Sequence, residues 1–194
     1  MSNKVAATRL SPEGRREQII DVASRHLSQG GSDGLSIQAV AAEAGVTRAL
    51  VHHYFGGKES LLDAVISREL IRLRQATEPD ATLWPAENLD RALNAYFDFF
   101  SASSGELRAF YLSAPATPRQ QAAIAENHAV QVEWILSLLD VPDTSASRLA
   151  VAAWLAFAVQ AAKESVNRPD VSRTEVLQLC KATLGTVVDL AQAG

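Results

Sequence analysis

The sequence predicts an all-α chain of about nine helices, with a three-helix head followed by a longer helical body. Two observations carry this reading. Apolar residues recur at helical spacing from one end to the other, and no period-two run rich in β-branched residues lies between hairpin turns. Helix start and stop residues also punctuate the chain where those stripes need them, among them Ser11-Pro12-Glu13, Gly45, Gly56-Gly57 and the prolines at 115, 118, 142 and 169.

The elements follow in order. Ser11 caps a first helix, Pro12 opens it and Glu13 suits its first turn, while Ile20, Ala23 and Leu27 share one face. Gly30-Gly31 is expected to stop that helix. Ser36 caps a second, short helix ending at Ala44-Gly45, and Thr47 caps a third running to about Phe55. After Gly56-Gly57 a fourth helix covers about residues 58–75, and the segment 78–85, with two prolines, closes it. Leu89, Leu93, Tyr96, Phe97 and Phe100 mark a fifth helix, and residues 106–112 a short sixth. Pro115 to Pro118 reads as a break, and then Ile124, His128, Val132, Ile135 and Leu139 form a long stripe ended by Val141-Pro142. The last two helices span about 145–167 and 172–191, around Arg168-Pro169-Asp170. The domains are expected at 1–57 and 58–194.

Composition narrows the function. With 47% hydrophobic and 21% charged residues, the chain suits a folded globular protein rather than a disordered one. A single cysteine, Cys180, excludes a disulfide framework and a multi-cysteine zinc site. The residues before Ser11 hold Lys4 and Arg9 and no apolar run, so no signal peptide is expected. The apolar stretch 149–162 reads as too short to cross a bilayer, and a cytoplasmic protein follows. The net charge of −4 divides unevenly. Residues 1–58 carry seven basic and five acidic side chains, leaving +2, and the remainder is −6. A basic head on an acidic body orients a molecule toward phosphate.

A helix-turn-helix over about residues 36–55 makes demands that this stretch meets. Its first helix needs a small residue where the second crosses it, which Ala41 supplies. Its turn needs a residue that tolerates a left-handed backbone, which Gly45 supplies. Val40, Ala44, Val46 and Val51 provide the apolar inside, and Arg48, Ala49, His52, His53 and Tyr54 form the outer face. The run from Ser36 through Gly45 to Arg48, continued by His53-Tyr54-Phe55 and then Lys58-Glu59-Ser60-Leu61-Leu62, resembles the signature of the TetR family of repressors over about residues 13–73. The sequence departs from the family at Ala49, Leu50 and His52, so its base contacts are its own.

The resemblance implies a DNA-binding regulator with double-stranded operator DNA as partner. Arg48 is the residue to fork onto a guanine edge, with Leu50 or Ala49 against a thymine methyl. His52 shares that outer face. His53, Tyr54, Lys58 and the Ser36 hydroxyl suit phosphate, Thr47 belongs with the DNA-binding residues at the start of the third helix, and Arg15, Arg16, Lys4 and Arg9 add backbone or minor-groove contacts. His52 and His53 are not a metal pair, because adjacent helical residues point about 100° apart. No metal or cofactor is expected.

The nearly all-apolar helix at 149–162 must be covered on two sides. One side packs on its own subunit. The other, with the last helix carrying Val176, Cys180, Leu184 and Val187, is implied by the resemblance to build a homodimer through the last two helices and to read a palindromic site. Tyr96, Phe100, Phe110, Tyr111, His128, Trp134, Trp154 and Phe157 are the candidate lining of a pocket for a small, mostly apolar or aromatic effector, although core packing explains such residues as well. Effector binding would shift the fourth helix and release the DNA. The alternatives are a ligand-independent activator or architectural DNA binder and, remotely, an enzyme. For an enzyme the sequence offers no G-x-G-x-x-G, P-loop or H-E-x-x-H.

Overall fold

The computed structural model describes residues 10–102 and 117–192, and every described element is helical. In chain order these are α1 (Pro12–Gly34), α2 (Ile37–Glu43), α3 (Arg48–Phe55), α4 (Lys58–Thr77), α5 (Pro85–Ala102), α6 (Pro118–Leu138), α7 (Ser145–Ser165) and α8 (Arg173–Gln192). The expected short helix at 106–112, together with Phe110 and Tyr111, lies outside the described residues, as do Lys4 and Arg9.

The chain divides into two compact units, Met1–Val65 and Ile66–Gly194. The expected boundary at 57/58 differs from this by the first two turns of α4, because Leu61 and Val65 are fully buried with the first unit. Around them that unit closes its core with Ile19, Ile20, Ala23 and Leu27 of α1, Leu35, Val40 and Ala41 around α2, and Val51 and Phe55 of α3. α1 does not stop at Gly30-Gly31 but continues to Gly34. Glycine weakens a helix by about 1 kcal/mol relative to alanine yet adopts helical angles freely, so it ends a helix only where another conformation is better paired.

The second unit has its own core, built from Leu73 of α4, Leu93, Phe97 and Phe100 of α5, Val132 and Leu136 of α6, Val151, Trp154 and Leu155 of α7, and Val176, Cys180 and Leu184 of α8. Local chemistry sets its joints. Thr117 and Pro118, expected within a break, instead open α6. The Thr117 hydroxyl accepts from Gln120 N, the Gln120 side chain reaches back to Thr117 N, and Pro118 takes the first turn, where no donor is needed. At its other end Asp140 adopts φ 52°, and Val141 N donates to the Leu136 carbonyl at 3.0 Å, a Schellman stop that buries Val141 beside Leu136. Thr144 caps α7 through Ser147 N at 3.1 Å. Ser172 and Glu175 cap α8 reciprocally. The Trp154 indole donates to the Cys180 carbonyl at 2.9 Å and joins α7 to α8. Arg173 holds α8 to α5 through Asn94 and Asp98 and lies 5.3 Å over the Phe97 ring.

α7 has 21 residues, longer than the apolar stretch read from sequence, and it is long and apolar enough by length and composition to cross a membrane. Its inner face, with Val151, Trp154, Leu155, Ala158 and Ala162, is buried in the core of its unit. Its outer face carries Leu149 at 72% and Phe157 at 38% exposure, with Ala152, Ala153 and Ala156 also exposed between them. On α8, Leu179 is 51% exposed.

Candidate nucleic-acid interface

The turn between α2 and α3 is built by backbone chemistry. Gly45 has φ 65°, Gly45 N donates to the Ala42 carbonyl at 3.2 Å and Val46 N to the Ala41 carbonyl at 2.9 Å. These are the two bonds of a Schellman motif, and they satisfy the last carbonyls of α2 while turning the chain. Thr47 then starts α3, its hydroxyl accepting from Leu50 N at 3.2 Å. Ser36 occupies the corresponding cap position of α2 but makes no side-chain capping bond. Its exposed hydroxyl is therefore not spent on the helix. A Cβ at Gly45 would meet nothing within 4 Å, so the demand for glycine there is purely conformational. Gly45→Ala is expected to destabilise the first unit by about 1–2 kcal/mol through the left-handed backbone alone, seen as faster hydrogen exchange at Val40 and Val51. Unchanged exchange would mean the turn relaxes without cost.

α3 separates into two faces. Val51 and Phe55, four residues apart, are buried. Arg48, Ala49, His52 and His53 are exposed, with Leu50 and Tyr54 half-buried at the edges. Among the described residues no carboxylate pairs with Arg48 or with Lys58, the exposed first residue of α4. The arginines among the described residues of α1 are occupied. Arg25 lies 2.8 Å from Glu43, whose second oxygen is 2.9 Å from His26 Nε2. The Arg25 hydrogen bond holds the Glu43 carboxyl below its ordinary value. Arg16 sits 5.3 Å over the Phe55 ring and 3.5 Å from Glu17, and Arg15 donates to Gln18. Arg48 and Lys58, unpaired among the described residues, thus lie exposed at the first residues of α3 and α4.

His52 adds a detail the sequence did not carry. Its Nδ1 lies 3.2 Å from the Gly56 carbonyl. A carbonyl only accepts, so Nδ1 carries the proton, and in the neutral ring Nε2 is left as an outward acceptor. Gly56 reaches φ 77° and ends α3 with its N–H on the His52 carbonyl at 2.7 Å. His53 and Tyr54 meet edge to face at 5.7 Å, which orients the Tyr54 ring at the margin of the face.

The second unit holds a cavity of about 40 Å³ between α5, α6 and α7 and the end of α4. Of the candidate pocket residues, Tyr96, Trp134 and Trp154 line it. Phe100 lies instead in the core at zero exposure, and Phe157 is on the outer face of α7. His128 does not line it, and burial pushes its imidazole below the ordinary value. Sequence reasoning passed over the polar part of the wall. The Tyr96 hydroxyl donates to Gln131 Oε1, and Gln131 Nε2 donates to Thr77 Oγ1 at 3.2 Å, joining α5, α6 and the last turn of α4. The available signal was the spacing of Gln120, Asn127 and Gln131, polar residues on the inward stripe of α6.

Comparison with known proteins agrees with this geometry. Residues 19–65 match the family model described as bacterial regulatory proteins, tetR family. The regulator BetI of Brucella anthropi is 48% identical over 58 residues, which are 30% of this chain and 29% of that protein. BetI of Vibrio campbellii is 33% identical over 88 residues, 45% of this chain and 44% of that protein. The chain therefore spans less than half the length of these curated relatives. A tetR-family transcriptional regulator from Streptomyces coelicolor superposes with TM-score 0.82 at 28% identity, covering 95% of this chain and 84% of that one. The fatty acid degradation regulator FadR of Bacillus halodurans shares the fold, with TM-score 0.60 at 18% identity over 93% of this chain and 97% of that one.

Proposed function

We propose, from the match of residues 19–65 to the family model of bacterial regulatory proteins, tetR family, that the chain is a dimeric repressor of that family, released from a palindromic operator by a small, mostly apolar or aromatic effector. The observation that carries the DNA reading is the outer face of α3 beyond a left-handed Gly45, with Arg48 exposed and without an acidic partner among the described residues. Arg48 reads a guanine edge, Leu50 and Ala49 meet a thymine methyl, and His52 offers Nε2 to a base-edge donor. Ser36, Thr47, His53, Tyr54 and Lys58 hold phosphates and set the register.

Release is assigned to the second unit. Apolar walls with Tyr96, Trp134 and Trp154 favour an apolar or aromatic guest, and the polar groups of Gln131 and Trp154 are already bonded within the protein. About 40 Å³ is far below the roughly 300 Å³ of a small-molecule site, so a guest requires the helices to part. Thr77 ends α4 at that wall, and Lys58 begins the same helix. Moving α4 is thus the proposed link between effector and DNA, with a coupling of about 1–3 kcal/mol. The outward apolar face of α7 and α8 is the proposed dimer surface, which also accounts for an apolar helix in a cytoplasmic protein.

The test is a mobility shift at several salt concentrations. The protein is expected to retard fragments of its own genome, with affinity falling as salt rises. For Lys58→Ala the salt slope is expected to flatten by about 0.9 for each phosphate that Lys58 neutralises, with sequence preference kept. Failure to retard any duplex at low ionic strength would overturn the DNA reading.

A further inference from the structure

A second cleft in the same unit, of about 210 Å³, lies between α4 and α6 and shares no lining residue with the aromatic cavity. Its walls are Ser67, Leu70, Ile71 and Arg74 of α4 and Ala123 and Glu126 of α6. Asn127 also lines it and is 3% exposed, yet among the described residues neither its Nδ2 nor its Oδ1 has a hydrogen-bond partner. A buried primary amide left with both its donor and its acceptor unused is destabilising, and native proteins keep few such groups. The neighbouring buried amides show the contrast. Gln131 and Asn88 are each bonded through both side-chain atoms.

From this we propose that the α4–α6 cleft is a binding site for a small planar amide, such as a primary carboxamide, a lactam or a ureide. An amide presents a donor and an acceptor side by side in one plane, and only a partner with the complementary pair satisfies both atoms of Asn127. A carboxylate would accept from Nδ2 and leave Oδ1 unpaired. The flanking Leu70, Ile71 and Ala123 suit the faces of a flat molecule. The loose Arg74–Glu126 pair, 3.9 Å apart with Glu126 75% exposed, opens to take a second polar group of either sign. Occupancy would brace α4 directly, so this site gives the proposed regulator a second, polar input beside the apolar one.

Nicotinamide and its ester analogue methyl nicotinate, which lacks the amide donors, test the assignment on the full-length protein without DNA. Nicotinamide is expected to move the Asn127 side-chain amide resonances saturably, and methyl nicotinate to bind about tenfold or more weakly. Asn127→Leu is expected to lose nicotinamide binding by a similar factor while the unliganded protein melts about 2–4 °C higher, because an unpaired polar group has been removed. No saturable shift with nicotinamide, or equal binding of amide and ester, overturns the site. A lower melting temperature for Asn127→Leu does so too, since it would show that the amide has a structural partner in solution. Because the readout contains no DNA, an Arg48→Ala protein that loses DNA binding but keeps the nicotinamide response separates this inference from the proposed function.

Discussion

Replacing Leu149 and Phe157 together by glutamate is expected to halve the mass in sedimentation and to weaken operator binding by about 10²–10⁴-fold, while the helical circular dichroism is unchanged. Both residues are solvent-accessible on one face of α7, at 72% and 38%, with exposed alanines between them. The substitutions therefore remove nothing from the core of their own unit. In a two-fold interface every substitution occurs twice, so four carboxylates would be buried without partners, at several kcal/mol each. Dissociation leaves each head to find its half-site alone, and the absence of a second, linked head accounts for the expected range of affinity. A doubly substituted protein that remains dimeric would show that this face is not the interface. A dissociated protein that still binds DNA as before would refute the role of the dimer from the functional side.

Arg48→Ala is expected to cost about 1–3 kcal/mol for each half-site and to relax preference at one base pair in each. A dimer reads the base twice, so the operator as a whole loses about 2–6 kcal/mol. Arg48→Lys is expected to restore much of the charge effect but not the base preference, because a point ammonium cannot form the two parallel bonds of a guanidinium. The check is a competition series in which each base of the selected operator is varied in turn. Weaker affinity with preference intact would move Arg48 to the phosphates. Unchanged affinity would leave the base reading to Leu50 and His52.

The head was readable in the sequence because its decisive features are local. A left-handed turn, a small crossing residue and a capping threonine each depend on a few neighbouring residues, and Gly45, Ala41 and Thr47 adopt the roles their chemistry dictates. Glycine failed as a signal at Gly30-Gly31 for the same reason that it worked at Gly45. It permits a left-handed backbone without requiring one, and only the paired bonds from Gly45 and Val46 make the turn the better choice.

Aromatic residues in the body carried less information. Tyr96, Phe100, Trp154 and Phe157 all sit at helical spacing, yet two line a cavity, one is sealed in the core and one faces outward. The periodicity of one helix places a side chain on a face and says nothing of which neighbour covers that face.

By itself, then, the chain determined its helical class, the turn and outer face of α3, and an apolar α7 that needs covering on both sides, because these follow from interactions within a few turns. Only the tertiary structure decided that, among the described residues, Arg25 and Arg16 are occupied while Arg48 is not, that Gln131 bonds to both Tyr96 and Thr77, and that Asn127 is buried with no partner for its amide. Those facts turn on partners such as Arg25 and Glu43, 18 residues apart, or Thr77 and Gln131, 54 apart, or on the absence of a partner. Hydrogen bonds and ion pairs over such separations are set by how the helices pack.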